Sequence, residues 1–142
     1  MIEKVSARLK IKTSRIEYFT AKSLAQRPET TADAEEILNK LIKEFPDNFD
    51  YQYEKGLLFF MQEDYEKAEP FLIESLKLGH PEKFKIYLHL GKCYQKRELW
   101  GNAKACFTRA CEVDPKSPIS WLGLGIACMK RKDFKDSEIA LT

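Results

Sequence analysis

Residues 84–115 read FKIYLHLGKCYQKRELWGNAKACFTRACEVDP. Apolar side chains recur in the first half of this stretch at three- and four-residue spacing, which is typical of an amphipathic helix. The second half has the same character and ends at Pro115. Because proline lacks a backbone donor and disfavours helix at the residue before it, the second helix is expected to stop there. The stretch therefore predicts two helices joined by a short polar turn.

This pattern recurs along the chain at a fixed interval. Shifts of 34 and 35 residues align three blocks that share a Gly at the same place. The aligned blocks are Gln52-x-x-Lys55-Gly56-x-x-Phe59, Tyr87-x-x-Leu90-Gly91-x-x-Tyr94 and Trp121-x-x-Leu124-Gly125-x-x-Cys128. A constant period of this length is the signature of a repeat protein built from stacked units. No single hairpin can bury both of its apolar faces, so stacking of the units is expected to form the core.

The central block resembles the tetratricopeptide repeat (TPR) family. The positions that carry the resemblance are Tyr87, Leu90, Gly91, Tyr94, Ala103, Phe107, Ala110 and Pro115. The resemblance covers residues 49–142 and implies an all-α fold, a right-handed superhelical solenoid of antiparallel helix hairpins with about 3.5 repeats. Gly91 opposite Ala103 is expected to let the two helices of a hairpin approach closely, with Phe107 filling the space beside them.

We divide the chain into five segments on this basis. Residues 1–26 are predicted to form a long basic amphipathic helix packed on the array. Residues 27–48 match the second half of a degenerate repeat, whose missing Gly is expected near residue 22, where the chain reads Ala21-Lys22-Ser23. Residues 49–83 and 84–117 are predicted to be complete repeats. Residues 118–142 are predicted to be a repeat truncated in its second helix, with a hairpin turn at residues 130–135; a longer parent protein is expected.

The N-terminal helix carries an apolar stripe at three- and four-residue spacing that includes Val5, Leu9, Ile16 and Phe19. Five basic residues and one acidic residue lie within residues 1–15. A basic amphipathic helix can contact a membrane, calmodulin or an acidic partner. The simpler interpretation, which we favour at this stage, is a helix that caps the array.

The resemblance to TPR proteins places partner binding on the concave groove, which is lined by the first helix of each hairpin. The candidate groove residues implied in this way are Tyr53, Leu57, Phe60, Lys85, Leu88, Lys92, Gln95, Lys96, Leu122, Ile126 and Met129. Chaperone-docking members of the family hold a carboxylate with Lys at the fifth and Asn at the ninth repeat position. Here the first complete repeat has Tyr53 and Leu57 there, so a chaperone co-factor role is disfavoured. The lining is apolar at both ends and basic in the middle, which suits an amphipathic helix or an acidic-apolar segment. Occlusion of the groove by another part of the same protein is the alternative.

Composition argues against several other classes of function. The formal net charge of +2 gives no concentrated basic surface for nucleic acid. The longest apolar run, residues 57–61, is too short to cross a bilayer. We find no catalytic Ser-His-Asp spacing, phosphate-binding Gly-rich loop or His/carboxylate metal pair, so no enzyme, cofactor or metal site is predicted. The four Cys residues have no Cys-x-x-Cys spacing and are interpreted as mostly buried free thiols of a cytoplasmic protein.

A narrower resemblance involves residues 120–128, SWLGLGIAC, and residues 137–141, SEIAL. These segments look like the TPR region of a cilia- and flagella-associated protein family of motile axonemes. That resemblance implies a cytoskeletal scaffold in the cilium with axonemal, dynein-associated partners. A general cytosolic or nuclear adaptor in trafficking, cell-cycle or RNA-processing assemblies is the alternative. Self-association through an uncovered C-terminal face is left open.

Overall fold

A computed structural model describes the backbone of residues 2–141 and the side chains of residues 4–132. The helices are α1 (Ile2–Ala25), α2 (Thr31–Glu44), α3 (Phe49–Met61), α4 (Tyr65–Lys77), α5 (Lys83–Lys96), α6 (Trp100–Val113) and α7 (Pro118–Leu141). Each helix packs against the next one along the chain, and α3 also contacts α1 and α5, while α5 contacts α7. The predicted all-α solenoid of antiparallel helix hairpins is confirmed. Within the described residues, no helix combines the length and the apolar character that crossing a membrane requires.

Local sequence explains where several helices begin and end. The Asn48 side chain accepts hydrogen bonds from the backbone amides of Asp50 and Tyr51, which caps α3. Asp64 caps α4 in the same way through the amide of Lys67. Such caps satisfy amides that have no partner inside the helix. The predicted end of α6 before Pro115 is confirmed, because the helix stops at Val113.

The ring of Phe107 belongs to the main core cluster and is 1% exposed. A Cβ built on Gly91 of α5 would lie 2.8 Å from this ring, and one built on Gly123 of α7 would lie 2.5 Å from it. Phe107 therefore occupies space that two glycines on neighbouring helices leave free. The expectation that Phe107 fills the space beside Gly91 is confirmed, since the three atoms nearest to a Cβ built on Gly91 all belong to this ring.

The turns inside the hairpins do not all have the same geometry. Glu63, between α3 and α4, and Glu98, between α5 and α6, both have positive φ, at 61° and 58°. A shift of 35 residues back from Glu63 reaches Pro28, whose ring locks φ near −65°. A 3-10 turn, Pro28–Thr30, joins α1 to α2 instead.

The predicted hairpin turn at residues 130–135 is wrong for the described backbone. α7 continues as one helix from Pro118 to Leu141. Lys130, Arg131 and Lys132 are good helix formers, and neither Gly nor Pro interrupts the stretch. The local sequence thus permits the helix to continue past the point at which the earlier repeats turn.

The four thiols lie in different environments. Cys93 and Cys111 are buried, Cys106 is half-buried and Cys128 is exposed, so the expectation of mostly buried thiols does not apply to Cys128. Burial raises the pKa of Cys93 to about 12 and the pKa of Cys106 to about 11. Because the thiolate is the reactive form, these two side chains are protected by both access and ionisation.

We expect a thiol reagent such as Ellman's reagent at pH 8 to label one thiol of the folded chain rapidly, at Cys128. Cys93 should react only after denaturation. A Cys128→Ser variant is the control and should lose the fast phase. Rapid labelling of Cys93 in the folded chain would contradict the packing of α5 against α6.

Candidate functional site

A cavity of about 340 Å³ lies between the first helices of successive hairpins. It is lined by α1, α3 and the segment that leads into α5. Its α1 side is formed by the C-terminal half of that helix. The lining residues are Tyr18, Lys22, Ala25, Gln26, Asp50, Tyr53, Glu54, Leu57, Leu58, Met61, His80, Glu82 and Lys85.

Three of the predicted groove residues meet at this cavity. Tyr53 is 7% exposed, Leu57 is half-buried and Lys85 is exposed. Leu57 packs against the main core cluster and still contributes to the cavity lining. The cavity lining therefore combines apolar side-chain area with a cation.

The remaining predicted residues lie outside the cavity. Phe60 and Leu88 are half-buried against the same core cluster. Leu122 and Met129 on α7 are 66% and 68% exposed. Of the other predicted residues, Lys92, Gln95 and Ile126 are half-buried and Lys96 is exposed.

The polar lining residues that were not predicted from the sequence include Tyr18, Lys22, Glu54 and His80. Tyr18 and Lys22 lie 35 residues before Tyr53 and Leu57, so the repeat period applied once more would have found them. Glu54 and His80 carry no comparable signal, because neither occupies a groove position of the family pattern.

Glu54 is a buried carboxyl group, 8% exposed, on the α1 side of the cavity. Burial raises its pKa above the ordinary range, and the ammonium group of Lys22 partly offsets this effect. The Lys22 Nζ atom lies 3.7 Å from Glu54 Oε1. The pair connects α1 to α3 and leaves Lys22 half-buried at the cavity edge.

His80 lies on the opposite side, in the loop between α4 and α5, and is 4% exposed. Its Nδ1 atom accepts a hydrogen bond of 3.0 Å from the amide of Glu82. With Nδ1 as acceptor, neutral imidazole carries its proton on Nε2. Nε2 lies 3.4 Å from Asp50 Oδ1 and can donate to it. His80 is thus a fixed link between the loop and α3.

His89 continues the aromatic surface from α3 onto α5. Its ring lies edge-on to Phe60 at 5.0 Å and to Tyr53 at 6.0 Å between centroids. Nδ1 donates to the carbonyl of Lys85 at 2.7 Å. Burial lowers the pKa of His89. The neutral ring therefore serves as packing between two first helices.

The residues around the cavity form a surface of mixed polarity. Among the described residues, no cluster of three or more His, Cys, Asp or Glu side chains could hold a metal ion. Apolar area from Tyr53 and Leu57 lies beside charged groups of both signs, Lys22, Lys85 and Glu82. Such a lining can bury an apolar side chain of a ligand and pair with polar groups beside it.

Comparison with known proteins gives the family context of this fold. The tetratricopeptide repeat model matches residues 24–79 and 88–141. The human cilia- and flagella-associated protein 70 is 30% identical over 95 residues, which cover 62% of this chain and 8% of that protein. The RNA polymerase-associated protein CTR9 of Caenorhabditis elegans is 25% identical over 109 residues, 77% of this chain and 10% of that protein.

Solved structures share the fold at low sequence identity. A MamA structure superposes with a TM-score of 0.74 at 16% identity, over 87% of this chain and 70% of MamA. The Arabidopsis OM64 TPR domain superposes with a TM-score of 0.71 at 16% identity, over 82% of this chain and 94% of that domain. The chain spans a tenth or less of the length of the two relatives named above.

Proposed function

This chain belongs to the tetratricopeptide repeat family, and we propose that it is a non-enzymatic scaffold that binds a helix or peptide of a partner protein in its groove. The observation that carries the proposal is the cavity between α1, α3 and α5, with Tyr53 and Leu57 in its lining. Binding proteins of this kind take a few apolar anchor residues of a peptide into such a site.

The charged residues of α5 suggest the chemistry of the ligand. Lys85, Lys92 and Lys96 lie on one helix at spacings of seven and four residues, so they share a face. Leu88 lies between them on the same face and keeps part of its surface accessible. An acidic-apolar segment would bury a side chain against Leu88 and pair its carboxylates with these cations.

Affinity capture from a ciliated-cell extract tests the groove. We expect a Leu88→Glu, Lys92→Glu variant to lose the partners that the wild-type chain retains, since it removes an apolar contact and reverses a charge. Val113→Glu is the matched control, because Val113 is 50% exposed on α6 and is not part of the cavity lining. Circular dichroism should show that both variants remain helical. A set of partners unchanged by the double substitution, or one made up of chaperones, would contradict binding of the partner along this face of α5.

We further propose that the partner assembly is axonemal, in motile cilia, with dynein-associated proteins among the partners. The similarity to cilia- and flagella-associated protein 70 supports this part. Imaging the full-length tagged protein in ciliated cells tests it directly. Signal along the cilium is expected, and a dark cilium beside a labelled cell body would rule this part out.

The similarity to CTR9 favours a second candidate, an adaptor in a nuclear RNA polymerase-associated assembly. The same image discriminates between the two, because this candidate predicts nuclear signal. The groove-binding proposal applies to both candidates, and they differ only in the assembly that supplies the partner.

A further inference from the structure

In the later repeats, the first helix buries the face that packs against the second helix of the preceding hairpin. One register position of this face holds Tyr51 in α3, Ile86 in α5 and Ser120 in α7, which are 6%, 0% and 0% exposed. The position seven residues further on holds Leu58, Cys93 and Ala127, which are 0%, 0% and 1% exposed. Leu58, for example, belongs to one core cluster with Ala34 and Leu38 of α2. The face is thus built to be covered by a helix.

In α1 the same face is open. The residues of α1 that correspond to these two positions are Ile16 and Ser23, which lie 35 residues before Tyr51 and Leu58. Ile16 is 60% exposed, Phe19 beside it is 62% exposed, and Ser23 is also exposed. Ala21 and Ala25 are buried among residues of α2, so α1 is anchored and its outer side is free.

The open face extends toward the N-terminus of α1. Val5 and Leu9 are 56% and 60% exposed and continue the three- and four-residue spacing of Ile16 and Phe19. We define these four residues as the outer stripe of α1. Successive members at this spacing share one side of a helix. A continuous exposed apolar surface of this kind marks an interaction site more often than scattered exposed residues do.

The charges around the outer stripe have one sign. Arg8, Lys12 and Arg15 lie within or beside it, all exposed, and no acidic residue occurs among residues 4–16. Glu17 lies on another side of α1 and pairs with Lys40 of α2 at 3.2 Å. A ligand for the stripe therefore needs negative charge next to its apolar face.

We propose that the outer stripe of α1 docks an acidic amphipathic helix of a partner protein, in the position that α2 occupies on α3. The repeat register argues for a helix, since every equivalent face of the solenoid is covered by one. Charge argues against a second copy stacked through its C-terminal end, because Lys130, Arg131 and Lys132 are exposed on α7 and would meet the basic residues of α1. This surface is separate from the groove and does not depend on the proposed function.

Selection from a displayed library of helical peptides tests the proposal. The bait is the chain with Leu88→Glu and Lys92→Glu, so that peptides for the groove are disfavoured. We expect enriched sequences with apolar residues at three- and four-residue spacing and Glu or Asp along one edge. Synthetic versions should bind at least about tenfold more weakly when Phe19→Glu is added to the bait, a loss of about 1.4 kcal/mol. Ile16→Glu should act in the same way, and Val113→Glu should leave the affinity unchanged.

Three results would overturn the proposal. The first is that no helical sequence is enriched on the bait. The second is that enriched peptides bind the Phe19→Glu and Ile16→Glu baits as well as the parent bait. The third comes from a parallel arm with vesicles that contain about a third anionic lipid; co-sedimentation that Phe19→Glu abolishes, in the absence of peptide binding, would assign the stripe to a membrane surface.

Discussion

Replacing Phe107 with Ala is expected to lower the free energy of unfolding by about 3–5 kcal/mol. The ring is 1% exposed and lies against Gly91 of α5 and Gly123 of α7. Truncation would leave a cavity where three helices meet, and glycines on two sides have no side chain with which to fill it. Urea unfolding followed by circular dichroism measures the loss.

The matched control is an aromatic residue of similar size on the surface. Phe19→Ala removes a ring that is 62% exposed and should cost well under 1 kcal/mol. A loss below about 1 kcal/mol for Phe107→Ala would mean that the helices are not packed around this ring. The register of the hairpins would then be wrong.

The second large effect is the difference in stability between alanine substitutions at two glycines of α7, Gly123 and Gly125. A Cβ on Gly123 would lie 2.5 Å from the ring of Phe107, whereas no described atom lies within 4 Å of a Cβ on Gly125. The ring also lies close to Gly91 of α5, where a built Cβ would be 2.8 Å away, so it has little room to move aside. We expect Gly123→Ala to destabilise the chain by about 1–3 kcal/mol through overpacking.

Gly125→Ala should have the opposite sign. Ala is a better helix former than Gly by about 0.8–1.0 kcal/mol, and the added methyl group meets open space. Thermal unfolding of the two variants beside the wild-type chain gives both signs in one experiment. Equal destabilisation by both substitutions would contradict the description of α7, and would instead support a second helix packed against Gly125.

Much of the fold could be predicted because small and aromatic residues recur at a fixed interval and reveal the repeat period. The Gly at position 91, the ring at 107 and the proline at 115 determine a hairpin together, and around Gly56 the corresponding residues are Leu72 and Pro81. The exact distances around Gly91 could not be predicted in the same way. Ala103 and Phe107 are one helical turn apart, and sequence spacing alone does not say which of them faces the glycine.

The N-terminal side of the groove was missed for a physical reason. The sequence interpretation required a Gly near residue 22, but Ala21 occupies the equivalent place and is fully buried. Alanine is small enough for this packing against α2. Recognising that substitution would have assigned Tyr18 and Lys22 to the groove beside Tyr53 and Leu57.

The turn expected at residues 130–135 was wrong because the turns of this fold are not encoded locally. Glu63 and Glu98 adopt positive φ although glutamate has no preference for that conformation. Backbone hydrogen bonds close each of these turns, from the amide of Asp64 to the carbonyl of Phe59 and from the amide of Leu99 to the carbonyl of Tyr94. Where Lys132 falls at the corresponding place, the backbone continues as helix instead.

The central claim is that a partner protein occupies the cavity between α1, α3 and α5. Site-specific photo-cross-linking tests it most directly, with p-benzoylphenylalanine in place of Leu57 in the full-length protein of ciliated cells. Leu57 is half-buried in the cavity lining, and the same probe at Val113 on α6 is the control. We predict cross-links to axonemal proteins from position 57 that are missing from position 113. Equal cross-linking from both positions, or none from position 57 while the partners are still recovered by affinity capture, would show that partners bind elsewhere.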